Sequence, residues 1–156
     1  MPNEHMSIGT SVSVSSASAS AGKLVSLSYR HLSAAVRFSR AVGPIEQEHR
    51  DQPIGVFWEE IFGLSTACVL TAAASIEAYA NELFFERDMV FPGYTSKVLN
   101  KLWETYERKP TGDKFDFALL LRDRPSLDWG KPSGQNVAAL IDLRDALMHY
   151  KPEWDN

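Results

Sequence analysis

The chain has a single cysteine, Cys68. No disulfide can form within it, which fits a reducing compartment and predicts a cytoplasmic protein. Cys68 lies inside an apolar run and reads as a small buried filler. Histidine is scarce too. His5, His31, His49 and His149 are scattered, with no H-x-x-H or H-E-x-x-H pair and no cysteine cluster to complete a ligand set. Neither a zinc site nor any other cofactor is expected. Positive charge is not in excess: 16 Lys and Arg face 20 Asp and Glu, a formal net charge of -4. That argues against a protein that grips nucleic acid through bulk charge, and leaves room only for a small basic site. The N-terminus lacks the basic stretch and apolar core of a signal peptide. The uncharged apolar run Ile61 to Ile76 is short for a bilayer and rich in Ala, Ser and Thr. It reads as a central buried helix, so no membrane partner is expected.

What is present suits one domain: 156 residues, 44 % of them apolar, enough to build a core. Residues 1–22 are low-complexity, with Ser7, Ser11, Ser13, Ser15, Ser16, Ser18 and Ser20 among them. With almost no large apolar side chains, this stretch cannot offset the entropy of ordering and is expected to be a disordered tail. Residues 23–156 carry the folded unit. Apolar residues near helical spacing predict a first helix over Lys23 to Val42, stopped by Gly43-Pro44. After a charged linker, Asp51 and Pro53 signal the start of a long second helix, about Val56 to Arg87. Its stripe is Ile61, Leu64, Cys68, Ala72, Ile76, Tyr79 and Leu83. Its middle is apolar nearly all round, and Ala67, Ala72, Ala73, Ala74 and Ala78 admit close neighbours. It should therefore lie at the centre of a bundle. Further helices are predicted over Thr95 to Arg108, over Asp113 to Arg122 with Thr111 as cap, and over Gly134 to Tyr150 with Ser133 as cap. No run alternates like a strand, so the fold class is all-α, a bundle of four to five helices.

The last helix carries the informative constellation. Val137, Leu140, Ile141, Leu147 and Met148 form its apolar face, and Arg144 falls in the middle of that stripe. A fixed charge there needs a partner, because burying it alone is costly. Glu77, at the end of the uncharged run and four residues before Asn81, is the expected partner. A Glu77–Arg144 pair would be either a structural tie that sets helix register or part of a working site. His149 ends the same helix, four residues after Asp145 and near Asp142. The carboxylates and the negative helix end favour a charged imidazole, suited to acid–base work. The plainer alternative is a terminal histidine that complements the macrodipole.

The segment Leu143-Arg144-Asp145-Ala146-Leu147-Met148-His149-Tyr150-Lys151-Pro152 resembles the signature of HEPN domains. That signature is an Arg, a polar residue, then a His after four to six intervening positions, near the end of a late helix. Here four residues intervene, and Asp145 is the polar one. The segment Ala74-Ser75-Ile76-Glu77-Ala78-Tyr79-Ala80-Asn81-Glu82-Leu83 is similar to the second helix of such domains.

The resemblance implies a HEPN-like helical bundle, usually dimeric. In many members it is a metal-independent endoribonuclease of toxin–antitoxin or defence systems; others are non-catalytic binding modules. Carried onto this chain, His149 activates the ribose 2′-OH or protonates the leaving 5′-oxygen. Arg144 neutralises the phosphorane-like transition state, Asp145 orients one of them, and Glu77 with Asn81 supports Arg144. The product is a 2′,3′-cyclic phosphate. Two copies of the last helix facing each other would supply base, acid and cations together. Lys151 offers local positive charge, with Arg122, Arg124 and Lys131 farther off, and Tyr150, Trp154 and Trp129 offer faces for base stacking. Many active members carry Asn where Asp145 stands, and Asp142, Asp145 and Glu153 add negative charge that opposes RNA. The partners implied are RNA, a second copy of the chain, and an antitoxin or nucleotidyltransferase-type protein. The alternative to the ribonuclease is a non-catalytic module that binds a protein partner or RNA.

Overall fold

The computed structural model describes residues 26–150. The serine-rich segment 1–22 and the C-terminal residues Lys151 and Trp154 lie outside them. Among the described residues the chain is all-helical, with six helices: α1 Leu27–Glu48, α2 Val56–Phe85, α3 Arg87–Val90, α4 Ser96–Tyr106, α5 Thr111–Leu121 and α6 Pro132–Met148.

Ser26 caps α1, its side chain accepting from the Tyr29 amide. The helix then passes through Gly43-Pro44, where the sequence predicted its end, and closes at His49, whose amide donates to the Ile45 carbonyl. Proline has no N–H to donate, and this loss is usually enough to stop a helix. Here both Gly43 and Pro44 are exposed, so water can meet the carbonyl that loses its partner. The expected linker 45–52 is thus helical for its first half. His49 then stacks on Phe57, ring centroids 4.6 Å apart and nearly parallel, which sets the tight return into α2.

α2 is the organising element: it packs against α1, α3, α5 and α6. The α1–α2 hairpin is antiparallel and packs closely, with Ala35 of α1 buried. Polar ties fix its register. Ser75 Oγ donates to the Ser28 carbonyl at 2.9 Å. The Glu82 carboxylate accepts from the Ser28 amide at 3.0 Å and from the Ser28 hydroxyl at 2.6 Å.

The large side chains gather at the C-terminal end of α2. Phe84, Phe91, Leu99, Phe117 and Ala118 form the buried cluster, edged by Trp103 and Tyr106. Phe84 stacks on Trp103 at 4.7 Å and on Phe117 at 5.8 Å. The one-turn helix α3, which the sequence pattern did not predict, carries the chain round so that Phe91 enters this cluster. α5 ends in a Schellman turn: the Arg124 amide donates to the Leu119 carbonyl and the Asp123 amide to the Leu120 carbonyl. Asp123 adopts the left-handed conformation, φ 52°, which this motif requires.

Two start signals move by two residues. Pro132, not Ser133 or Gly134, opens α6; proline suits the first helical position because its missing N–H would be unsatisfied there anyway. Thr111 is the first residue of α5 rather than its cap, which is Pro110.

The bundle leaves much of α2 uncovered. Residues Phe57–Phe85 are long and apolar enough to cross a membrane by length and composition alone, and 11 % of the most apolar window is buried. The expectation of a well-buried central helix therefore holds for its neighbours and not for its burial. Tyr29, Leu32 and Val36 on α1 and Trp58 and Phe62 on α2 remain exposed.

Candidate functional site

Arg144, Asp145 and His149 lie at the C-terminal end of α6, and Glu77 and Asn81 lie on α2. Val137, Leu140, Ile141, Arg144 and Leu147 of the expected stripe are half-buried and α6 packs on α2, but Met148, expected on the same face, is exposed at the helix end. No residue of α6 is fully buried. Arg144 is therefore a partly shielded cation: its side chain keeps 34 % of its exposure.

The partner of Arg144 is local. Its Nε lies 2.8 Å from Oδ1 of Asp145. The N–H does not point along that line, so the buried Nε makes no hydrogen bond. The pair is an electrostatic contact between chain neighbours, and among the described residues the outer guanidinium nitrogens have no further partner. His149 stands one position beyond the helix as its C-cap, exposed, its amide donating to the Asp145 carbonyl. Tyr150 follows and is almost fully exposed. Five helical steps of roughly 100° put Arg144 and His149 about 140° apart around the axis. Within one chain they face different sides.

The expected Glu77–Arg144 pair does not form. Among the described residues Arg144 is paired with Asp145 alone, and Glu77 is exposed on α2 beside a separate cavity. The reason lies in relative burial. The α6 stripe is shallow enough for Arg144 to stay hydrated, so it needs no carboxylate from the core. Asn81 also has a different task. Its Oδ1 accepts from Nζ of Lys114 at 2.9 Å. Lys114 is the residue that sequence reasoning missed. It is 4 % exposed and lies 5.5 Å from the centroid of the Trp103 ring. The signal was available: Lys114, Phe117, Ala118 and Leu121 share one face at helical spacing, the same pattern that drew attention to Arg144.

Of three cavities among the described residues, none is lined by Arg144, Asp145 or His149. One of them, about 810 Å³, lies between α2, α5, the 124–131 loop and the start of α6, with Ile76, Tyr79, Trp129 and Val137 in its wall. Compared with protein-family models, with curated proteins and with solved structures, the chain matches none.

Proposed function

We propose that the chain is a HEPN-like, metal-independent endoribonuclease of toxin or defence type that works as a homodimer through α6. The observation that carries this reading is the end of α6. It presents an exposed histidine and a shielded but hydratable arginine, held by its neighbour Asp145, within five residues. In the proposed reaction the imidazole of one His149 takes the proton from a ribose 2′-OH. The 2′-oxygen bonds to phosphorus as the bond from phosphorus to the 5′-oxygen breaks. The second copy's imidazole, protonated, delivers a proton to that leaving oxygen. Arg144 meets the charge gathered on the non-bridging oxygens. The angular separation of Arg144 and His149 supports the need for two copies, because a histidine from one protomer can then face an arginine from the other. Exposed Leu143 and Met148 on the same helix are apolar surface that such an interface would cover.

The same exposed side chains favour a second reading, a non-catalytic HEPN-like module that docks a protein partner on this face. One experiment separates the two. Purified protein and its His149→Ala variant are incubated with a mixed structured RNA in excess EDTA. Cleavage by the parent alone, leaving 2′,3′-cyclic phosphate ends, is the expected result. Equal cutting by both excludes His149, and no cutting by either turns the reading to the binding module.

A further inference from the structure

The structure holds a second polar site, on the opposite side of α2's C-terminal half from the large apolar cavity and independent of the Arg144 reading. A cavity of about 580 Å³ opens between the start of α1, the end of α2, α4 and α5. Two cations border it with unmet donors. Lys114 is nine-tenths buried and more, yet among the described residues its ammonium has one hydrogen-bond acceptor, the neutral Asn81, for three N–H groups. Its other neighbour is the face of Trp103. Arg87 uses one outer nitrogen on the Phe84 carbonyl at 3.2 Å, while its buried Nε has no acceptor among the described residues. A buried ammonium without an anion is costly, and among the described residues no carboxylate lies within ion-pair distance of Lys114.

The remaining wall narrows the anion. Glu77 and Glu107 line the same cavity, are exposed, and have no ion-pair partner among the described residues. Glu82 lines it as well, already occupied by Ser26 and Ser28. Three carboxylates against two cations disfavour a doubly charged phosphate. They suit a ligand that brings one negative and one positive group. Leu27 and Phe85 at the same wall are exposed apolar surface, ready to cover an apolar body.

We propose that this cavity binds a small amino carboxylate with a large apolar side chain. Its carboxylate meets Lys114 and Arg87, its ammonium meets Glu77 or Glu107, and its side chain lies against Leu27 and Phe85. The cavity volume accommodates a molecule of this size and falls within the range of ordinary small-molecule sites.

The test is calorimetric titration of the full chain with four probes: L-phenylalanine, 3-phenylpropionate, phenethylamine and inorganic phosphate. Saturable binding of L-phenylalanine is expected, about tenfold tighter than 3-phenylpropionate, which lacks the ammonium. Phenethylamine and phosphate are expected not to bind. Lys114→Met keeps the volume and should abolish binding. If that variant loses its helical circular dichroism, the Glu77→Gln/Glu107→Gln double variant replaces it. That variant should lose the tenfold preference for L-phenylalanine while holding 3-phenylpropionate unchanged. No binding by any probe, tighter binding of phosphate, full affinity in a folded Lys114→Met, or an undiminished preference in the double variant each overturns the proposal.

Discussion

Glu82 is the residue on which the α1–α2 hairpin should depend most for its polar register. Its carboxylate accepts from the Ser28 amide at 3.0 Å, the Ser28 hydroxyl at 2.6 Å and the Ser26 hydroxyl at 3.2 Å. These donors sit at the N-terminal end of α1, where amides have no partner in the helix and the dipole favours an anion. Burial pushes the Glu82 carboxyl up, but the hydroxyl and amide of Ser28, the Ser26 hydroxyl and the Leu27 backbone together outweigh it and hold the group below the ordinary glutamate range. Hydrogen bonds to a charged group contribute roughly 1.5–3 kcal/mol. The half-exposed position brings the net expectation for Glu82→Ala to about 2 kcal/mol of lost stability at neutral pH. With a urea slope of about 1.5 kcal/mol/M for a small domain, the midpoint should fall by about 1 M.

The sign of the pH dependence follows from linkage. A carboxyl whose folded value is depressed contributes stability that is fully present above its unfolded value and is lost as pH falls through the folded one. Parent and variant should therefore differ most at neutral pH and converge in acid, below the ordinary carboxyl range. Urea melts of both proteins at a series of pH values, followed by circular dichroism, measure this. A gap under about 0.5 kcal/mol at neutral pH, or one that does not close in acid, would refute the assignment of Glu82 as the clip.

Phe84→Ala should cost about 3–5 kcal/mol, since Phe84 is 2 % exposed, meets Phe91 at a tilt and stacks on Trp103 and Phe117; a denaturant titration reads this directly. Gly134→Ala should destabilise despite alanine's better helix propensity. An added Cβ would sit 2.7 Å from the Asp128 carbonyl oxygen and 2.8 Å from the Trp129 Cα, a backbone clash worth about 1–3 kcal/mol, visible as a lower melting temperature and altered Trp fluorescence. Asp123→Val should lose about 1–2 kcal/mol, because a β-branched residue resists the left-handed turn that ends α5, and chemical denaturation with Asp123→Gly as the tolerant control checks it. Under the proposed reaction, His149→Ala should abolish EDTA-resistant RNA cleavage with little change in the melting temperature, since the histidine is exposed beyond the helix end.

Much of the architecture was legible before any coordinate. Helical periodicity, the lack of alternating runs, and breakers such as Pro92-Gly93 and Pro110 give the order of the long helices to within a few residues, since these signals act locally on the backbone. The half-buried stripe of α6 with Arg144 inside it was legible for the same reason. Pro44 misled because a proline's cost depends on whether water can reach the freed carbonyl, a property of the folded surface. α3 was invisible because a single turn has no period to detect.

Pairing was what the sequence could not decide. Glu77 and Arg144 were each recognisable as charges on apolar helices, and joining them assumed that α6 lies deep on the Glu77 face of α2. The tertiary structure keeps α6 shallow and gives Arg144 to its neighbour Asp145. It gives Asn81 to Lys114. Spacing along one helix fixes which side chains share a face. Depth and azimuth between helices come from how the Phe84–Phe117 cluster and the Ser28–Ser75 and Ser28–Glu82 ties of α1 and α2 close, and those contacts join residues far apart in the chain. The sequence alone therefore determined the helices and their charged anomalies, and the packing alone decided which of those charges meet.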